Sequence, residues 1–91
     1  MTKKLAKMPY AQAHVEIDDE GNATLISYTT PVCSLTHDGW LSVAGLYSMT
    51  TRKHIGAFMQ EYANQSYQTA KACYYGEYDL NLFTGEVISH V

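Results

Sequence analysis

Two periodicities divide this chain, and the place where one gives way to the other limits what it can fold into. From Ala11 to Asp18 the side chains alternate: Ala11, Ala13, Val15 and Ile17 point one way, and Gln12, His14, Glu16 and Asp18 the other. That is the pattern of a half-buried strand. β-like segments continue, with breaks, as far as Tyr47. From Thr50 the spacing changes, and Ile55, Phe58, Met59 and Tyr62 recur at i, i+3, i+4 and i+7, the apolar stripe of a helix laid on a core. Strands first and helices after make an α+β fold, an antiparallel sheet with helices packed on one face.

Turn chemistry sets the pieces. Asp18-Asp19-Glu20-Gly21-Asn22 joins the first strand to a second over Ala23 to Tyr28, and the acidic residues read as a solvated loop tip. Thr29-Thr30-Pro31 interrupts, Val32 to Thr36 forms a third strand, and His37-Asp38-Gly39 turns into a fourth from Trp40 to Tyr47. The sheet is thus two hairpins plus a C-terminal strand over Tyr78 to Phe83. Between them lie one long helix, capped by Thr50 or Thr51, and a shorter one from Tyr67 to about Tyr75, with Ser66 as its cap and Gly76 as its C′ residue. Glu86 to Val91 adds a short strand or frays. Met1 to Pro9 shows little periodicity and reads as a flexible tail before a single domain at 10–91.

A chain of 91 residues removes only roughly 60 to 65% of its unfolded surface on folding, so the core must be thin. With 46% hydrophobic and 16% charged residues it has the composition of a globular protein. A formal net charge of −3 argues against a binder of nucleic acid driven by phosphate contacts. No apolar run is long enough for a membrane span, and no apolar segment follows the lysines of Met1 to Pro9, which points to the cytoplasm. Cys33 and Cys73 form no metal or redox signature and are expected as free thiols.

The start of the long helix is the first candidate site. Ser48, Thr50, Thr51, Arg52, Lys53 and His54 gather hydroxyls, cations and a titratable ring at the positive end of a helix dipole, where an anion or a partner can bind. Simple capping explains the same residues, since the glycines of a phosphate-wrapping loop are missing. His54, at the edge of the apolar face, is of the kind that hydrogen-bonds a neighbouring strand more often than it catalyses. Eight tyrosines are the compositional outlier, and Tyr67, Tyr74, Tyr75 and Tyr78 crowd one stretch. With Trp40 they are candidates for an aromatic interface, or for the walls of a core too thin to hide them. No catalytic order of Ser, His and Asp or of Cys and His stands out, and His14, His37, His54 and His90 lack metal-ligand spacing, so neither enzyme chemistry, a metal nor a cofactor is expected.

The run Tyr47-Ser48-x-Thr50-Thr51-x-Lys53-His54-Ile55, preceded by Ser27-Tyr28-x-Thr30 and Val32, resembles a motif of short uncharacterised proteins encoded by phages and related mobile elements. The likeness covers roughly residues 25 to 63. It implies a context and no activity: small accessory proteins of this kind act by binding host proteins, and inhibitors of bacterial defence, anti-CRISPR proteins among them, are frequent in this size class. The expected partner is therefore a host protein. An exposed edge strand and a thin core also favour a homodimer.

Overall fold

Seven antiparallel strands lie side by side in the order in which they occur along the chain. In the computed structural model, which describes residues 1–91, these are β1 (Thr2–Lys4), β2 (Ala13–Ile17), β3 (Ala23–Ser27), β4 (Thr30–Leu35), β5 (Trp40–Val43), β6 (Tyr78–Asn81) and β7 (Val87–Ser89). The expected α+β class is what the structure has. Two helices, α1 (Met49–Phe58) and α2 (Tyr67–Gly76), are inserted between β5 and β6 and cover one face, α1 over β3 and α2 over β5 and β6.

Alternation explains which side chains meet the helices. Val15 stands opposite Leu25, Leu25 opposite Cys33 and Cys33 opposite Val43, so one inward row crosses four strands. A register shift between Leu25 and Ile26 kinks β4 and lets two consecutive residues, Val32 and Cys33, both be buried. From the helices, Ile55, Phe58, Met59, Ala70 and Cys73 complete the core. The other face carries Thr24, Ser34, Ser42 and Asp79, with Ser42 donating to Asp79 at 2.6 Å, the polar outside of a sheet covered on one side only.

The first residues are not a flexible tail. β1 pairs with β2, the terminal ammonium of Met1 donates to the Ile17 carbonyl at 2.7 Å, and the Ala6 amide donates to Glu61 at 2.8 Å. Leu5 is fully buried and anchors the segment. Leu5 and Met8 are the side chains it lays on the core, and two such residues are too few to show a period in sequence.

Helix ends also differ from expectation. Ser48, not Thr50 or Thr51, caps α1: it is extended, and its hydroxyl accepts the Thr51 amide at 3.2 Å. After Phe58 the helix widens into a π turn over Met59–Ala63, and Asn64 ends it in the left-handed region at φ 52°. In α2 the left-handed cap is Glu77 at φ 54°, and Gly76 remains helical. Gly76 serves close approach instead, because a Cβ there would lie 2.3 Å from the Tyr78 ring. The fourth strand is shorter than the run to Tyr47, since β5 stops at Val43 and Gly45 then lies under the Tyr47 ring.

Candidate functional site

At the end of β3 the inward series Ala23, Leu25, Ser27 puts a hydroxyl where an apolar side chain would otherwise stand. α1 begins directly above it. Ser48 Oγ donates to Thr51 Oγ1 at 3.3 Å, Thr51 Oγ1 lies 3.0 Å from Ser27 Oγ, and Ser27 Oγ lies 2.9 Å from His54 Nδ1. Each hydroxyl has one proton, so the chain runs in one direction from Ser48 to an accepting Nδ1 when the imidazole is neutral with its proton on Nε2. Ser27, Thr51 and His54 are all buried, and each polar group in the line is satisfied. Burial also pushes the His54 pKa below its ordinary value, favouring that neutral form.

Tyr28 closes the line off. It is the first residue of the two-residue loop between β3 and β4, and its φ of 58° lies where a bulky side chain is rarely found. Its amide donates to the Gln12 carbonyl at 2.6 Å, and its ring lies 5.9 Å from that of His54, centre to centre, at 51°. The ring is nevertheless 52% exposed. A costly backbone conformation therefore holds an aromatic half in water and half on a buried imidazole.

Around this point the surface is apolar and cationic. Tyr47 and Met49 flank the cap and are exposed. No acidic residue lies in the first turn of α1, and the carboxylates that meet a basic side chain are Glu16, beside His14, and Asp79, beside His90, so Arg52 and Lys53 pair with no carboxylate. Arg52 Nε reaches only the Leu46 carbonyl, at 3.4 Å. Met49, Arg52, Lys53, Gly56 and Tyr67 line an open hollow of about 320 Å³ beside the helix start.

A sequence profile for a family of unknown function (DUF8033) matches residues 2–76. The chain belongs to DUF8033. Among curated proteins and solved structures, nothing matches it. The DUF8033 match runs from β1 to the end of α2, so it takes in every residue of the hydroxyl line and Tyr28, while β6 and β7 lie beyond it.

In this DUF8033 chain the expected site residues separate into places. Ser48, Thr51 and His54 join the buried line, whereas Thr50, Arg52 and Lys53 point to solvent. Of the aromatic candidates only Tyr67 borders the same hollow. Tyr74 and Tyr75 meet edge to face at 5.4 Å near the far end of α2, where they line a second hollow of about 360 Å³ with Tyr78 and His90. Trp40 is half-buried on β5. Ser27 and Tyr28 are the site residues that composition and periodicity did not single out. Apart from the resemblance that takes in Ser27-Tyr28-x-Thr30, their signal was a polar residue at an inward position of an alternating strand, followed by the turn.

The line has limited chemistry open to it. Ser27 and His54 are at the distance of a nucleophile and its base, but Ser27 is 2% exposed and its oxygen already lies between two partners. What the geometry accomplishes is positioning: it fixes the end of β3 against the first turns of α1 and sets Tyr28 over both. Cys33 is inert for a different reason, since burial pushes its thiol up to about 12. No helix is long and apolar enough to cross a membrane.

Proposed function

We propose that this chain is a small accessory protein of a phage or mobile element that works without catalysis, by binding a host protein through Tyr28 and the start of α1, and that it inhibits a host defence system in the manner of anti-CRISPR proteins. The observation that carries the proposal is Tyr28. A tyrosine at φ 58° costs stability, and its ring stays 52% exposed while it leans on His54. Strain of that kind is retained where a side chain must be presented. Tyr47, Met49 and the two unpaired cations extend the surface, and aromatic rings beside arginine are the composition of interface hot spots. The resemblance of Ser27-Tyr28 and Tyr47 to Ile55 to phage proteins supplies the biological setting.

The test is recovery of a host protein in a one-to-one complex with the tagged chain, and its loss with Tyr28→Ser or Arg52→Glu. Expression in a host that restricts a phage should raise plaque counts for the wild type and not for these variants. Equal recovery by the wild type and both variants refutes this surface.

Binding of nucleotide or nucleic-acid phosphate at the same place is the second function considered. It is favoured by the first-turn amides of Met49 and Thr50, which have no acceptor in the protein, next to Arg52 and Lys53. Affinity for a nucleotide or an oligonucleotide should then fall steeply with salt and vanish in Arg52→Ala/Lys53→Ala.

A further inference from the structure

The two edges of the sheet are treated differently by the sequence. β1 carries exposed Lys3 and Lys4, and lysine on an edge strand discourages another strand from pairing with it. β7 carries neither lysine, arginine nor proline, and its Val87 and Ile88 are 54% and 53% exposed. We propose that β7 is a self-pairing edge: a second copy of the chain adds its own β7 antiparallel about a two-fold axis at Ile88, joining two sheets into one.

Hydrogen-bond parity supports this register. The His90 amide donates to the Glu77 carbonyl and the Asn81 amide to the Glu86 carbonyl, each at 2.8 Å, so Glu86 and His90 turn their main chain toward β6. By alternation Ile88 does the same, while the amides and carbonyls of Val87 and Ser89 point away from the sheet. A two-fold at Ile88 sets Val87 opposite the partner's Ser89 and Ser89 opposite the partner's Val87. Every outward amide and carbonyl of those residues then finds its complement.

Side chains agree with the main chain. The same register places Glu86 opposite the partner's His90, on the face shared with Ile88. His90 Nε2 lies 2.8 Å from Asp79 Oδ1, and the partner's Glu86 can accept from Nδ1 when both ring nitrogens carry a proton. At the axis Ile88 meets the partner's Ile88 in a non-hydrogen-bonded pair, the closer of the two antiparallel spacings, with Cα atoms about 4.5 Å apart. This contact lies on strands outside the DUF8033 match and does not depend on the Tyr28 surface.

Sedimentation equilibrium over a concentration series tests the contact. The wild type should approach twice the 10.2 kDa chain mass. Ser89→Pro removes an outward amide that β6 does not use, so it should keep the circular dichroism of the wild type and sediment as a single chain. Ile88→Cys should form a covalent dimer on mild oxidation, because cysteines at that spacing can be bridged, and Glu86→Cys should not. Cys33 and Cys73 are buried and do not compete. A wild type that stays at one chain mass throughout, a Ser89→Pro variant that still dimerises, or cross-linking through Glu86→Cys in preference to Ile88→Cys would each overturn the proposal.

Discussion

Ser27 and His54 stand 27 positions apart, and the 2.9 Å bond between Ser27 Oγ and His54 Nδ1 ties the last residue of a strand to the helix packed over it. Thr51 bonds the same Ser27 oxygen. One hydroxyl thus satisfies two buried groups of α1, and the cost of losing it exceeds that of an ordinary surface serine.

Ser27→Ala should therefore destabilise the fold by about 1 to 3 kcal/mol, the usual penalty for leaving buried polar atoms without a partner. Ser34→Ala, on the outer face of β4, should stay within about 0.5 kcal/mol. Urea unfolding of the two variants beside the wild type measures both.

Stability should depend on pH through His54. Its folded pKa lies below the unfolded value, so over that interval the unfolded chain binds more protons than the folded one. Stability is then fully present above the ordinary histidine value of about 6.5 and declines as pH falls from there toward the folded pKa. His54→Gln should flatten this part of the profile. Unfolding midpoints collected between about pH 8 and pH 5 for both proteins give the comparison.

Phe58 is fully buried at the centre of the helical stripe and stacks on Tyr62 at 5.1 Å, whereas Lys53 is exposed. Phe58→Ala should cost about 3 to 5 kcal/mol, a large part of what so small a domain has. Lys53→Ala should cost no more than about 0.5 kcal/mol. The same denaturation experiment checks the pair, and a larger loss from Lys53→Ala would mean that the helix is oriented differently.

Regular periodicity made much of the fold legible. The alternation in β2, the glycine turns at Gly21 and Gly39 with φ of 86° and 98°, and the stripe from Ile55 to Tyr62 each specify an element without help from the rest of the chain. What stayed hidden depends on tertiary partners. β1 exists because β2 offers a free edge and Leu5 a buried anchor. Glu77 takes a left-handed cap that glycine would suit better, because the neighbouring Gly76 is needed under Tyr78. The site was half legible: Ser48, Thr51 and His54 stood out as a helix start, but Ser27 and Tyr28 joined them only once the hairpin had folded beneath α1.

Tyr28 offers the most direct measurement of the central claim, that the buried line exists to present this ring. Tyr28→Gly relieves the positive φ and Tyr28→Ala does not, so the glycine variant should be more stable than the alanine variant by about 1 to 2 kcal/mol. Both lose the ring. Recovery of the proposed host partner by the folded Tyr28→Gly chain, side by side with the wild type, decides the matter: the account predicts that the complex is lost although stability is kept, and a complex recovered in undiminished yield would contradict it.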